Sequence, residues 1–156
     1  METRFALITD ALQITECNKR NLPLYYSSPE HFYFIISSNH EVAVITHNSQ
    51  VIGFIIGEYK SYDDSNSDSN FHILSFGIDK KYRRRGLGSK LIKFIIKKIK
   101  NKCNSVSLYV HYDNTGAISF YEKYGFQRKE LLKNYYRGNL KNAKTQDALL
   151  MKKIIS

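Results

Sequence analysis

Basic residues and glycines are concentrated in the stretch Lys80-Lys81-Tyr82-Arg83-Arg84-Arg85-Gly86-Leu87-Gly88-Ser89-Lys90. An apolar run at 71–79 predicts a strand before it, and an apolar stripe at 91–99 with helical spacing predicts a helix after it. Backbone N–H groups at a helix N-terminus bind anions, and glycines let phosphate oxygens approach closely. The stretch therefore predicts a phosphate-binding loop. Its spacing, Arg83-x-x-Gly86-x-Gly88, is neither a P-loop nor a dinucleotide-binding motif.

A second motif is Asn114-Thr115-Gly116-Ala117-Ile118-Ser119-Phe120-Tyr121-Glu122-Lys123-Tyr124-Gly125-Phe126. Ala117 and Tyr121 lie one helical turn apart on one face. Asn114 is expected to cap the N-terminus of this helix, and Gly125 to end it in a left-handed conformation. Taken alone, the segment could also be an ordinary amphipathic helix with Ile118, Tyr121 and Tyr124 in the core.

Together the two motifs resemble the GCN5-related N-acetyltransferase (GNAT) family, which uses acetyl-coenzyme A. The first is similar to the family's pyrophosphate loop, and the second to its Asn-x-x-Ala-x-x-x-Tyr-x-x-x-Gly-Phe helix. The resemblance implies an α/β fold with a mixed sheet and helices on both faces. It also implies a set of acetyl-CoA contacts: Phe76, Gly77, Ile78, Arg83, Arg84, Arg85, Gly86, Leu87, Gly88, Ser89, Lys90, Asn114, Ala117 and Tyr121.

Hydrophobic periodicity and turn signals predict the order β-α-α-β-β-β-α-β-α-β-β in a single domain spanning residues 1–156. A polar segment at 61–70 is expected to be a mobile loop. Thr9 or Asp10 should cap the first helix, and Ser28 the second. The predicted strands are 4–9, 42–46, 51–59, 71–79, 105–112, 127–135 and 148–154, and the predicted helices are 10–20, 28–36, 90–99 and 115–124.

The composition excludes several classes of protein. Cys17 and Cys103 have no spacing typical of a metal or redox site, nor do the five histidines, so no metal is expected and the thiols suggest a reducing compartment. The N-terminus has no signal pattern, and the apolar runs are too short to span a bilayer. We therefore expect a cytoplasmic protein without a membrane partner.

The net charge of +10 is unevenly distributed, since residues 80–102 contain eleven Lys or Arg and no acidic residue. Part of this charge would serve the phosphates of coenzyme A. The remainder on the helix has two open interpretations: a solvated polar face, or a contact for an anionic surface such as ribosomal RNA. No nucleic-acid-binding motif accompanies it, so specific DNA binding is not expected.

Two further segments bear on the acyl acceptor. Asn21-Leu22-Pro23-Leu24-Tyr25-Tyr26 resembles the Leu-Pro-x-x-Tyr loop of protein N-terminal acetyltransferases, and Asn134-Tyr135-Tyr136 resembles their Tyr-Tyr hairpin. Leu24, the residue after Leu-Pro, resembles the NatE type of these enzymes. This resemblance implies substrate peptides that begin with Met followed by an apolar residue. The alternative is that these segments are only turn and core aromatics. The implied substrate-binding residues are Leu22, Pro23, Leu24, Tyr26, Leu74, Tyr135 and Tyr136.

The catalytic pair departs from the NatE pattern. That pattern has a Tyr on the strand before the phosphate loop and a His on the next strand, whereas His72 and Tyr109 stand there in exchanged order. His72, with an ordinary pKa of about 6.5, would be the natural base toward a catalytic water. The alternative is that His72 is a structural sheet histidine and that His111 or a backbone carbonyl orients the water.

The resemblance also implies a leaving-group donor and an oxyanion site. Tyr121 would donate to the departing thiolate, and backbone N–H groups near Phe76 or Gly77 would hold the oxyanion. The expected partners are peptide or nascent-chain N-termini, with a ribosome and an auxiliary subunit as further ones. Two rival functions stay open: acetylation of lysine or a small amine, and a non-catalytic, acetyl-CoA-binding subunit.

Overall fold

The computed structural model describes residues 1–61 and 69–155, which form a seven-stranded mixed sheet with helices on both faces. The order of helices and strands is the predicted one. The elements are β1 (Glu2–Phe5), α1 (Ala11–Asn21), α2 (Ser28–Ile36), β2 (His40–His47), β3 (Gln50–Ser61), β4 (Ser69–Ile78), α3 (Leu87–Ile99), β5 (Ser105–His111), α4 (Thr115–Lys123), β6 (Gln127–Leu132) and β7 (Ala148–Ile154).

The strands lie in the order β1-β2-β3-β4-β5-β7-β6. All neighbouring pairs are antiparallel except β4 and β5, which are parallel. The β3–β4 register shifts where Ile56 pairs with Ser75 and Gly57 with Ile73, which leaves Leu74 as an extra residue in β4. Such a bulge bends a strand and increases its local twist. It therefore changes the course of β4 halfway along its length.

Two apolar clusters pack on opposite faces of the sheet. One joins the sheet to α3 and α4 and contains Cys103, and the other joins it to α1 and α2 and contains Cys17. Both thiols are buried and free. The stripe predicted on α3 is confirmed, because Leu91, Ile92, Ile95 and Ile99 are all buried. Among the described residues, no helix is long and apolar enough to cross a membrane.

The first strand ends earlier than its sequence suggested. β1 stops at Phe5, and the chain turns through a short 3-10 segment before α1. Asp10 stands at the predicted cap position of α1, but its side chain does not cap that helix. Its carboxylate instead accepts from the Leu7 N–H at 2.7 Å and from Arg4 at 2.7 Å. Asp10 is therefore committed to the turn that ends β1.

The second helix and the sixth strand also differ from expectation. Ser27, not Ser28, caps α2, and it forms a capping box with Glu30. The predicted strand 127–135 stops at Leu132, because residues 133–138 form a turn in which Asn134 has a φ of +52°. The two tyrosines of the predicted hairpin consequently lie in a turn and not in a strand.

The motif helix is as expected at both ends. Asn114 caps α4 by accepting from the Ala117 N–H at 3.2 Å, and Gly125 follows the helix with a φ of +90°. Of the polar segment predicted as a loop, Ser61, Ser69 and Asn70 belong to β3 and β4, and residues 62–68 lie outside the described residues.

Gly57, which faces the bulge, provides a test of this region. A Cβ added there would collide with the ring of the fully buried Phe71. Gly57→Ala should therefore lower the free energy of unfolding by about 1–3 kcal/mol, the usual cost of overpacking. In the control Gly116→Ala nothing lies within 4 Å of the added Cβ, so that helical substitution should be neutral or slightly stabilising. Urea unfolding of both variants measures the difference, and equal effects would contradict the close packing at Gly57.

Candidate active site

A wide cleft opens where β4 and β5 separate. Their parallel pairing covers Asn70–Ile73 on β4 and Ser105–Leu108 on β5, although both strands continue further. Beyond the bulge at Leu74, the edge of β4 that faces β5 has no strand partner within the described ranges. The cleft has a volume of about 2210 Å³. It extends from the start of α3, past the ends of both strands, to the loops after α1 and β6.

The N-terminus of α3 forms one end of the cleft. Gly86 is the N-cap residue, with a left-handed φ of +76°, and no side chain caps the helix. The N–H groups of Leu87, Gly88 and Ser89 precede the first complete turn, so they point out of the helix end. A Cβ at Gly86 would meet nothing within 4 Å, which means that the backbone is openly accessible there. These features suit the pyrophosphate of a coenzyme A molecule.

The basic residues of the loop are not equally placed. Arg83 and Arg84 line the cleft, and Nε of Arg83 donates to the carbonyl of Ile78 at 2.9 Å. Arg85 and Lys90 do not line it. The guanidinium of Arg85 lies over the ring of Tyr82 at 5.4 Å, and the backbone N–H of Lys90 already donates to the carbonyl of Gly86. The structure thus does not bring these two predicted contacts to the cleft wall.

α4 lies along the same cleft, with Asn114, Ala117 and Tyr121 in its wall. Tyr121 is buried, and its ring packs against Phe76 on β4 at 6.3 Å. Burial raises the pKa of the Tyr121 phenol. The phenol therefore keeps its proton at neutral pH and is a hydrogen-bond donor in the cleft.

The segment from Leu22 to Tyr26, which we call the first lip, also borders the cleft. It is held by Asn18, a fully buried side chain on α1. The Asn18 amide donates to the carbonyl of Leu24 and accepts from the N–H of Tyr26, both at 3.2 Å. Since the backbone bonds of the first lip end on a buried amide, Leu22, Pro23, Leu24 and Tyr26 are held at the cleft edge.

The turn at 133–138, which we call the second lip, faces the same space and contains Tyr135 and Tyr136. Asp147 accepts from the N–H of Asn134 at 2.8 Å. The side chain of Gln146 accepts from the N–H groups of Gly138 and Leu140 and donates to the carbonyl of Leu140. The second lip is therefore also held through side-chain bonds to its backbone.

The rings of His72 on β4 and Tyr109 on β5 are in contact, with centroids 4.8 Å apart. Tyr135 of the second lip stacks on Tyr109 at 4.8 Å. His72 is buried, and burial, assisted by the charge of Lys60, lowers its pKa to about 4. This corrects the expectation of an ordinary histidine pKa. At neutral pH the ring is uncharged, but it is a weak acceptor for a proton from an ammonium group.

A chain of buried polar side chains lies beneath His72. Nδ1 of His72 is 2.8 Å from Oγ of Ser107. The same oxygen accepts a hydrogen bond from the amide of Asn70 at 2.7 Å. Oδ1 of Asn70 accepts from the hydroxyl of Ser105 at 2.9 Å. Sequence reasoning missed this chain, because strand alternation shows that these residues share a face with His72 but not that they bond to each other.

His111, the alternative water-orienting residue, also lines the cleft. Its Nε2 donates to the carbonyl of Thr145 at 2.7 Å, and its ring contacts Tyr136 at 5.8 Å. These contacts tie His111 to the second lip and its flanking loop. Within the described ranges, no three His, Cys, Asp or Glu side chains are placed to hold a metal ion.

The end of β4 is joined to α1 through Asp79. Its carboxylate accepts from Arg20 at 2.9 and 3.2 Å and from Asn21 at 2.5 Å. Burial opposes ionisation, but the hydrogen bonds from Arg20 and Asn21 outweigh it and lower the pKa of Asp79. The start of the phosphate loop and the start of the first lip are therefore connected by one carboxylate.

The predicted site residues converge on one cleft. The structure brings together all the substrate-binding and catalytic candidates, and all the cofactor candidates except Arg85 and Lys90. The residues that sequence reasoning missed are polar: Asn18 and Gln146 hold the lips, and Ser107 and Asn70 form the hydrogen-bond chain that ends at His72. The available signal was an Asn or Gln near a predicted loop or strand, which is too common to select one.

Known proteins resemble the chain over most of its length. An N-alpha-acetyltransferase of Sulfurisphaera tokodaii is 30% identical over 95% of this chain and 89% of its own. A spermine/spermidine N(1)-acetyltransferase of Bacillus subtilis is 31% identical, over only 52% of this chain and 55% of its own. The crystal structure of Arabidopsis thaliana NAA60 in complex with acetyl-CoA superposes with a TM-score of 0.84, covering 99% of this chain and 98% of that one, at 22% identity. That last likeness shows the fold.

The sequence pattern of the GNAT family matches residues 9–126, which include the phosphate loop and α4. With the splayed β4 and β5 and the uncapped helix end at Gly86, this match establishes that the chain belongs to the acetyltransferase (GNAT) family.

Proposed function

We propose that this chain, as one domain, transfers the acetyl group of acetyl-CoA to the α-amine of peptide and protein N-termini, with a preference for Met followed by an apolar residue. The supporting observation is that two lips rich in Leu and Tyr border the same cleft as the phosphate loop. A first side chain would lie among Leu22, Leu24 and Tyr26 on one side and Tyr135 and Tyr136 on the other. Two buried free thiols suit a cytoplasmic location.

Acetyl-CoA is the acyl donor, and its thioester supplies the activated carbonyl. Its pyrophosphate would lie at the N–H groups of Leu87, Gly88 and Ser89. The unpaired edge of β4 at Phe76, next to Gly77, would direct a backbone N–H to the oxyanion that forms on attack. Tyr121, protonated and in the cleft wall, would donate to the departing thiolate.

The amine must lose a proton before it can attack. An α-amine has a pKa of about 8, so roughly a tenth of it is already neutral at pH 7. We infer that His72 and Tyr109 hold a water that takes the amine proton toward bulk solvent. Because the pKa of His72 is about 4, the ring is suited to orienting this water and not to storing the proton.

Two features speak against the rival substrates. A lysine side chain, with a pKa of about 10.4, needs a stronger base than an α-amine, and Asp79 is committed to Arg20 and Asn21. A polyamine needs several carboxylates, whereas Asp113 is the only acidic residue that lines the cleft in the described part of the chain. The α-amine of an uncharged first residue fits the Leu and Tyr lips better than either.

The phosphate site can be tested at Gly86. Gly86→Glu places a negative charge at the helix end, and the loss of one or more charged phosphate contacts of about 1.5–3 kcal/mol should weaken acetyl-CoA binding by about 10–150-fold per contact. Isothermal titration calorimetry measures it. Gly86→Ala has the same left-handed strain without the charge, so it should lose much less affinity. Unchanged binding by Gly86→Glu would place the pyrophosphate elsewhere.

Acceptor preference can be tested with a peptide panel. Peptides that begin Met-Leu or Met-Phe should have a higher kcat/KM than peptides that begin Ser-Glu or Asp-Asp, because the Leu and Tyr side chains of the lips offer apolar contacts to an apolar first side chain. A matched Met-Leu peptide with a blocked N-terminus and one internal lysine is the control. Faster reaction of that blocked peptide would reject the α-amine as acceptor, and faster reaction of Ser-Glu would change the proposed preference alone.

The catalytic pair can be tested by kinetics against pH. His72→Phe should lower kcat by about 10–100-fold, because the catalytic water loses the hydrogen bond that orients it, with little change in the KM for acetyl-CoA, and Tyr109→Phe should cost less. The rate should fall as pH decreases through the amine pKa of about 8, in the wild type and in His72→Phe alike. His72 protonates only near pH 4. An ascending limb that vanishes in His72→Phe would show instead that His72 titrates in the working range.

A further inference from the structure

The hydrogen-bond chain beneath His72 has a direction that can be read from its donors and acceptors. The amide of Asn70 donates through Nδ2 to Oγ of Ser107 and accepts through Oδ1 from Ser105. Asn70, Ser105, Ser107 and His72 are all buried. Each hydroxyl has one hydrogen to give. The hydrogen of Ser107 is therefore available for Nδ1 of His72, which lies 2.8 Å from it.

A neutral imidazole that accepts a hydrogen bond at Nδ1 carries its proton on Nε2. We propose that Asn70 and Ser107 are positioning residues that fix His72 in the Nε2–H tautomer, so that it offers the cleft a hydrogen-bond donor and not a lone pair. The role of His72 in turnover rests on the proposed function, whereas the tautomer is a property of the free protein. In this state His72 donates to the oxygen of the catalytic water and orients it, and it takes up no proton.

The other groups near the ring do not compete for Nδ1. Glu58 pairs with His72 across the β3–β4 register. Its carboxylate is 3.4 Å from Nζ of Lys60 and 3.6 Å from Nε2 of His40. Tyr109 contacts the ring by its aromatic face or edge. Within the described residues, Ser107 is thus the hydrogen-bond partner of the His72 ring, and the polarity of that bond decides the tautomer.

A shape-matched substitution should reverse this polarity. In Asn70→Asp the carboxylate can only accept, so it would take the hydrogens of both Ser105 and Ser107. Oγ of Ser107 would then accept from His72, which requires a proton on Nδ1. The side chain keeps its size, so the packing is preserved while the hydrogen-bond direction is reversed and a buried negative charge is added. Asn70→Asp is therefore the variant that separates polarity from packing.

The tautomer can be observed directly in the free protein. Two-bond ¹H–¹⁵N correlation spectra of histidine-labelled protein at pH 7, assigned with His72→Phe, should show an unprotonated Nδ1 and a protonated Nε2 for His72. In Asn70→Asp the spectra should instead show a protonated Nδ1 and an unprotonated Nε2. A protonated Nδ1 in the wild type, or spectra that Asn70→Asp leaves unchanged, would overturn the proposal.

A second pair of variants keeps the test decisive if the buried carboxylate prevents folding. Ser107→Ala removes the donor to Nδ1, so His72 should become a mixture of tautomers and kcat should fall about tenfold, with the KM for acetyl-CoA unchanged. Ser107→Thr keeps the hydroxyl and should restore both the spectrum and kcat. A single Nε2–H tautomer in Ser107→Ala would overturn the proposal. A wild type that acetylates no peptide would refute the proposed function alone, since the spectra would still report the tautomer.

Discussion

The separation of β4 from β5 is the constraint on which the site depends. The two strands are the only parallel neighbours in the described sheet, and they stay paired for four residues on each side. The extra residue at Leu74 then turns β4 away. A β4–β5 ladder continued past the bulge would have used the backbone groups of Phe76, which point away from β3, and it would have closed the space between α3 and α4. The irregularity therefore creates the cleft and leaves backbone donors available inside it.

Around this opening, polar side chains fix loops that have little regular structure. Asn18 holds the first lip, Gln146 the second, and Asp79 joins α1 to the end of β4. Each satisfies backbone or side-chain groups that would otherwise be costly to bury. Because these anchors lie behind the lips, the side chains that face the cleft can change without loss of the anchoring bonds. The proposed acceptor preference and the stability of the loops thus depend on different residues.

Features with a strong local cause were predictable from the sequence. Asn114, Gly125 and the apolar stripe of α3 each act through their own helix, so position along the chain is enough to assign them. The end of β6 was not predictable, because Tyr135 and Tyr136 have strand propensity, whereas the turn is fixed by contacts with Gln146 and Asp147.

The state of His72 was also beyond the sequence. Its pKa depends on burial, which is set by the fold and includes the contact with Tyr109. It also depends on the charge of Lys60, which lies on the neighbouring strand β3. The order of the elements follows from local pattern, but the protonation of a side chain follows from what surrounds it. The same holds for Arg85 and Lys90, for which the resemblance implied a phosphate contact and which do not line the cleft.

The burial of both cysteines has a practical consequence for measuring the reaction. Acetyl transfer releases coenzyme A as a free thiol, which reagents that react with thiolates can count. Burial raises the pKa of Cys17 to about 12 and also raises that of Cys103, so neither forms much thiolate at neutral pH. The folded enzyme should therefore contribute little signal of its own to such an assay. A slow increase equivalent to two thiols per chain would instead indicate that the protein is unfolding.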